Sequence, residues 1–219
     1  MSALDISTAT VSRLPRYLRA AIDLAADKEA TVSSEQLASL TQVNPATVRR
    51  DLATLAITGR RGVGYDTAYL VYEISEALGL TKESPVAIVG AGNIGRALCN
   101  YKGFGDRGFP IRLVLDSDQD KIGQDVGHLT VQSMSRLETL VEAEQIELGI
   151  IATPAAYATG VAERLVSAGV TSLLNFTTQI LDLGNDAIVR KVDLATELQI
   201  LSYFGQRLGT TSADAASQI

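Results

Sequence analysis

Apolar positions change their period along this chain. Between residues 12 and 26, Leu14, Tyr17, Leu18, Ala21, Ile22 and Ala25 recur at steps of three and four, the spacing of one buried helix face. Pro15 reads as part of the first turn, where its missing N–H costs nothing. Ser33-Ser34-Glu35-Gln36 has the form of a capping box and opens a short helix through Leu40. Asn44 is a favourable N-cap and Pro45 a favourable first residue, which predicts a third helix running to Ile57. Two short helices joined by a tight turn form a helix-turn-helix. Gly59, Gly62 and Gly64 punctuate the stretch Gly59 to Asp66, which reads as a tight β-hairpin, or wing. Helical spacing returns over Thr67 to Leu78, with Leu70, Val71, Ile74, Ala77 and Leu78 on one side and Gly79 as terminator.

Thr81-Lys82-Glu83-Ser84 is a polar linker and the expected domain boundary. Beyond it, short apolar runs alternate with helical segments. Strands are expected at Val86–Val89, Ile111–Leu115, Leu148–Ala152 and Ser172–Asn175. Helices are expected at Asn93–Asn100, Arg136–Ala143 and Ala155–Ala168. This alternation predicts a parallel sheet with helices on both faces. A short strand over Ile188–Val192 leads into a last helix, Asp193 to Gly205. Its Leu194, Ala195, Leu198, Ile200, Leu201, Tyr203 and Phe204 cover more than one face, so it needs burial on two sides, which points to docking into a partner subunit. The small, polar tail Thr210 to Ile219 is expected to fray. The fold class is therefore α/β. A winged helix-turn-helix domain with its linker (1–84) precedes a Rossmann-like parallel-sheet domain (85–192) and a terminal helix with tail (193–219) that is expected to dock into a partner subunit.

Composition narrows the setting. Hydrophobic residues make up 46% of the 219, enough for a sizeable core. One cysteine, Cys99, permits no internal disulfide. One cysteine and one histidine leave no material for a Cys/His zinc site, so no metal is expected. A reducing cytoplasm fits this usage. No apolar run is long enough to span a membrane, and the first residues lack the pattern of a secretory signal. The net charge of −6 is uneven: residues 1–66 hold eight basic and seven acidic side chains, the remainder 11 and 18. Contact with nucleic acid would therefore rest on local arginine clusters rather than on a global field.

The chemistry concentrates in P-V-A-I-V-G-A-G-N-I-G-R-A-L, Pro85 to Leu98, a strand running through a glycine turn into a helix. Gly90 permits the tight turn, Gly92 lets a diphosphate approach the backbone, and Gly95 lets helix and strand pack closely. Ala91, Asn93 and Ile94 complete a cradle at the positive helix end. Asp116 lies 21 residues past Gly95, where a carboxylate would bind the adenosine ribose hydroxyls and repel a 2′-phosphate. This favours NAD(H), although the same turn serves other nucleotides such as coenzyme A. Thr153 and Pro154 follow a strand at its carboxyl end. Either they border the cofactor, or Pro154 simply opens the next helix.

A hydride-transferring enzyme usually needs an acid/base group beside the nicotinamide and a substrate pocket. The one histidine, His128, reads as part of an exposed edge or loop, and Cys99 reads as a core filler. No Tyr-x-x-x-Lys pair is present. Arg49 and Arg50 instead fall on the predicted recognition helix, with Asn44, Ala46 and Thr47 near its start. N-terminal residues of such a helix meet base edges in the major groove. Arg60 and Arg61, at the hairpin, would suit a narrow A·T-rich minor groove.

Eight motifs occur in order: R-L-P-x-Y-L-R from Arg13, V-R-R-D-L from Val48, G-R-R-G-V-G-Y-D from Gly59 and V-G-A-G-N-I-G-R-A-L from Val89. N-Y-K-G-F from Asn100, L-D-S-D from Leu115, L-N-F from Leu174 and V-D-L-A-T-E-L-Q from Val192 follow. Together they resemble the redox-sensing transcriptional repressor Rex family, from Arg13 to Gly205. The resemblance implies a homodimer with a swapped last helix that binds pseudo-palindromic operator DNA when NADH is scarce and is released by NADH. It implies switch residues Arg19, Tyr101 and Asp193, the Asp pairing with the Arg in the DNA-competent form and with the Tyr in the NADH form. One departure stands out: some members carry an aromatic residue, inserted toward the nicotinamide pocket, at the position that Leu194 occupies in this chain. Two alternatives stay open on the residues: an NAD-dependent oxidoreductase with a DNA-binding appendage, and a regulator responding to coenzyme A or another nucleotide.

Overall fold

The structure, a computed structural model, describes residues 6–216, with side chains described through Gln206. The chain forms two compact units, Met1–Glu83 and Ser84–Ile219.

The first unit contains α1 (Thr8–Ala26), β1 (Thr31–Val32), α2 (Ser34–Thr41), α3 (Pro45–Thr54), β2 (Tyr65–Asp66) and α4 (Thr67–Ala77). Helix α1 starts ahead of its apolar stripe because Ser7 caps it, its hydroxyl accepting from the Thr10 N–H. Pro15 therefore lies inside the helix and not in its first turn. Its ring removes the bond to the Val11 carbonyl, on an exposed face where water reaches the freed group. The capping box at α2 is complete: Ser33 Oγ accepts from the Gln36 N–H, and Gln36 Oε1 accepts from the Ser33 N–H at 2.9 Å. Asn44 Oδ1 caps α3 from the Ala46 N–H at 2.8 Å. That helix stops at Thr54, short of Ile57, and Ala56 takes a left-handed backbone with φ 58°. Leu14, Tyr17, Leu18 and Ala21 pack with Leu37, Val48, Leu52, Leu70 and Ile74 in one core.

The wing differs from a simple hairpin. A tight turn closes between Arg60 and Gly64, but β2 pairs antiparallel with β1, upstream of α2. Gly64 makes that approach possible. With φ +99°, a Cβ on it would lie 2.3 Å from the Val32 carbonyl oxygen.

The second unit runs β3 (Val86–Val89), α5 (Asn93–Cys99), β4 (Ile111–Asp116), β5 (Asp125–Val126), β6 (Leu129–Thr130), β7 (Gln132–Ser133) and α6 (Leu137–Ala143). It continues through β8 (Leu148–Ile151), α7 (Ala155–Ser167), β9 (Ser172–Asn175), β10 (Ile188–Lys191) and α8 (Leu194–Ala216). Among the described residues, six strands form one parallel sheet in the order β10-β9-β8-β3-β4-β7. Both faces are covered. Ala87, Val89, Leu115 and Ile151 pack toward α6 and α7, while Val86, Ile88, Val114 and Ile150 pack toward Cys99 and Val126. Strand order reverses beside β3, whose neighbours are β4 and β8, and a ligand crevice in such a sheet opens at this switch point, beyond the carboxyl ends of the strands. Helix α8 continues past Gly205 and through the tail expected to fray, as far as Ala216. Gly205 and Gly209 each weaken a helix by only about 1 kcal/mol against alanine, and no proline interrupts it.

Candidate functional site: a dinucleotide crevice and a DNA-facing surface

The turn after β3 is built from backbone. Gly90, with φ +107°, crosses β8 so closely that a Cβ would lie 2.5 Å from the Ala152 carbonyl oxygen. A Cβ on Gly95 would lie 1.8 Å from the Gly90 carbonyl oxygen, so α5 meets the turn only because this residue is glycine. Gly92 caps α5 and has open space around it, which leaves the helix end accessible to an anion. Asn93 and Ile94 are exposed at that end, and Ala91 is buried below it.

Asp116 ends β4 beside this turn. Its carboxylate accepts from the Ala91 N–H at 2.8 Å and the Asp118 N–H at 2.9 Å, and Lys121 Nζ lies 3.2 Å away. Burial opposes its ionisation, but these donors outweigh burial and hold its carboxyl below the usual range. Three donors against about four lone-pair sites leave roughly one acceptor position for a ribose hydroxyl. Lys121 also lies 3.3 Å from Asp118, so this edge carries a cation beside its two carboxylates.

Thr153 and Pro154 follow β8 next to Gly90. The Thr153 hydroxyl oxygen is buried with no hydrogen-bond partner among the described residues. Leaving such a group unpaired costs about 1–3 kcal/mol, so it is a polar atom poised for a ligand. Pro154 also caps α7, so both readings of this dipeptide have a structural basis. An open helix end, a glycine cradle that a Cβ would fill and an orphaned hydroxyl fit a dinucleotide. Sequence reasoning places Thr153 here but has no means of seeing that its hydroxyl lacks a partner.

In the first unit, Asn44, Ala46, Arg49, Arg50, Arg60 and Arg61 are exposed and Thr47 is half-buried. Arg49 is not loose: Nη1 donates to Ser34 Oγ at 2.9 Å and to Glu35 Oε1 at 3.0 Å. The sequence reading misses Asp51, which is buried on α3 and binds Arg13, Tyr17 and Thr10 of α1. A signal existed. Val48, Asp51, Leu52 and Leu55 share one helical stripe, and a carboxylate on an apolar stripe requires a partner.

The remaining residues singled out have local partners. Arg19 pairs with Asp23 one turn on. Tyr101 is half-exposed and meets Phe104 edge-on at 5.0 Å. Asp193 caps α8 through the Ala195 and Thr196 N–H groups and lies 3.4 Å from Lys191. Leu194 is exposed. Cys99 is buried and burial pushes its thiol pKa up, as befits a core filler. His128 sits in the turn between β5 and β6, 3.3 Å from the Ile111 carbonyl.

A winged helix-turn-helix joined to a parallel-sheet nucleotide domain defines a class: DNA-binding regulators that carry a small-molecule sensor. Comparison with known proteins narrows it. Residues 81–179 match the family profile "CoA binding domain", and residues 5–53 match "Putative DNA-binding protein N-terminus". The redox-sensing transcriptional repressor Rex of Streptomyces avermitilis is 48% identical over 98% of this chain and 85% of its own length. Its counterpart from Carboxydothermus hydrogenoformans is 43% identical over 93% and 98%. The crystal structure of RSP, a Rex-family repressor, superposes with a TM-score of 0.86 at 29% identity, covering 95% of this chain and 97% of RSP. RSP in complex with NAD⁺ and operator DNA gives 0.86 over 98% and 99%, and RSP with NADH gives 0.84 over 95% and 98%. The chain belongs to the Rex family of redox-sensing transcriptional repressors.

Proposed function

We propose that this chain is a homodimeric, NADH-responsive repressor that holds pseudo-palindromic operator DNA in the cytoplasm while NADH is scarce. The observation that carries this reading is the likeness, over nearly the whole chain, to RSP, whose solved complexes contain NAD⁺ with operator DNA, and NADH. Its role is regulatory and not catalytic.

Gly90, Gly92 and the start of α5 would receive the diphosphate on backbone N–H groups. The Thr153 hydroxyl would gain a partner at the crevice. Asp116 would accept from a ribose hydroxyl while bracing the turn through the Ala91 N–H. The bound dinucleotide supplies the redox signal, since its nicotinamide ring is cationic when oxidised and neutral when reduced. Apolar side chains such as Leu194 would penalise the cationic ring by desolvation, so the two forms favour different conformations. Arg19, Tyr101 and Asp193 would carry that preference toward the DNA-binding unit, Asp193 exchanging Lys191 for Arg19 or Tyr101. A swing from nearly all bound to nearly all released requires about 5.5 kcal/mol of differential affinity.

The profile matching residues 81–179 keeps coenzyme A as the competing ligand. Calorimetric titration with NADH and with coenzyme A decides between them. NADH is expected to bind to wild type far more tightly than coenzyme A, and Gly95→Ala is expected to lose that binding, because its Cβ collides with backbone rather than with a flexible side chain. Tighter binding of coenzyme A would overturn the NADH reading, and wild-type NADH affinity in Gly95→Ala would remove the glycine turn from the site.

A further inference from the structure

Arg49 is held where it stands by the first turn of α2. Its Nη1 donates to Ser34 Oγ and Glu35 Oε1, and the Ser34 hydroxyl in turn lies 3.2 Å from the other Glu35 oxygen. Ser34 is buried, whereas the Glu35 and Arg49 side chains are 67% and 53% exposed. Gln36, not Glu35, completes the capping box, so Glu35 is not needed to cap α2.

Two consequences follow from guanidinium chemistry. Arginine has five N–H donors in a planar fork. Holding Nη1 leaves the edge formed by Nε and Nη2 as a two-pronged donor, the form that matches guanine O6 and N7. In a helix-turn-helix the first helix crosses the DNA backbone. The start of α2, where backbone N–H groups would otherwise welcome a phosphate, carries the Glu35 carboxylate instead. A phosphate drawn to Arg49 meets that like charge, whereas a base edge carries no full negative charge.

Resting on the DNA-binding reading above, we infer that Glu35 is a specificity-determining residue. It orients Arg49 for base contact and disfavours engagement of that guanidinium with phosphate alone. Specificity of this kind comes from weakening the wrong complex as much as from strengthening the right one.

The test uses the full-length protein, a duplex selected by it from a randomised pool, and a scrambled duplex of equal composition. Affinities are measured by fluorescence anisotropy across a salt series. Glu35→Gln keeps a carbonyl acceptor but removes the charge. It should tighten binding to the scrambled duplex by about fivefold, the scale of an exposed charge pair, with little change on the selected duplex. The salt slope for the scrambled duplex should steepen by about 0.9, the mark of one added phosphate contact. Glu35→Ala also removes one of the two acceptors that hold Arg49 Nη1, leaving Ser34 Oγ alone, and should weaken binding to the selected duplex as well. Both variants change an exposed side chain, and circular dichroism checks that each stays folded. A wild type that prefers the selected duplex, with an unchanged preference and slope in both variants, overturns this inference alone. A wild type that does not distinguish the two duplexes overturns the DNA-binding reading and this inference with it.

Discussion

Replacing Asp51 with alanine is expected to cost the first unit about 3–5 kcal/mol, the scale for removing one partner of a buried ion pair. The Asp51 side chain is 1% exposed. It accepts from Arg13 Nε at 2.6 Å and Nη2 at 2.8 Å, from Tyr17 Oη at 2.8 Å and from Thr10 Oγ1 at 3.1 Å. All three donor residues lie on α1, while Asp51 follows directly after Arg49 and Arg50 on α3. Truncation strands the Arg13 guanidinium, 23% exposed, and the buried Tyr17 hydroxyl, while Thr10 keeps Ser7 as a partner, and it unpins the helix that presents the arginines. DNA binding should fall with stability. Asp51→Asn keeps one acceptor oxygen and should lose less. Denaturant unfolding measures the cost. A loss below about 1 kcal/mol, the net worth of one ordinary hydrogen bond, would contradict the role given to this cluster.

The same cluster sets a pH window. Burial opposes ionisation of Asp51, but its hydrogen bonds outweigh burial and hold the carboxyl below the ordinary 3.8. Burial first, and Asp51 second, push Tyr17 from 10.0 to about 12. The depressed carboxyl contributes stability that is complete above 3.8 and lost as pH falls through its folded value. The raised phenol contributes stability that is complete below 10.0 and lost as pH rises toward 12. Between these limits the contribution of the cluster is flat.

Deleting Asp193 to Ile219 is expected to convert a dimer into a monomer. Leu194, Leu198, Ile200, Leu201, Tyr203 and Phe204 are between 47% and 67% exposed on the single chain, too much apolar surface for a helix in water. Burying such side chains gains about 1.5–3 kcal/mol each, and a second copy of the chain is the cover proposed here. Two linked half-site readers bind a palindrome far more tightly than one, so the truncated protein should also lose most of its DNA affinity. Analytical ultracentrifugation reads the outcome, and sedimentation of the truncated protein as a dimer would contradict the proposed swap.

What the sequence reveals and conceals follows from length and period. The strands β3, β4, β8 and β9 are legible because each is a run of four to six residues with at least half of them apolar, bounded by turn residues. Strands β1, β5, β6 and β7 have two residues each, too few for any period to show, so the partner of β2 goes unseen. Caps at Ser33 and Asn44 are legible because one side chain satisfies one orphan N–H. Ser7 is missed because Ala9 and Val11 of the turn that it caps face solvent and its buried residue is the polar Thr10, so the apolar stripe shows only from Leu14, and Pro15 is misplaced as a result. In the nucleotide crevice the glycine spacing is legible, because the backbone approaches at Gly90 and Gly95 permit no other residue. The bracing of the turn by Asp116, the orphaned Thr153 hydroxyl and the hold of Glu35 on Arg49 are tertiary contacts that no local pattern encodes.

NADH, and not NAD⁺, is expected to release this protein from DNA. Anisotropy of a labelled duplex selected by the protein, at fixed salt, with NADH, NAD⁺ and coenzyme A titrated side by side, tests it most directly. By linkage, whatever factor NADH costs DNA affinity, DNA must cost NADH affinity. Release by NADH at concentrations where NAD⁺ and coenzyme A leave the complex intact is the predicted result. Equal release by NADH and NAD⁺, or release by coenzyme A alone, would contradict NADH-specific release.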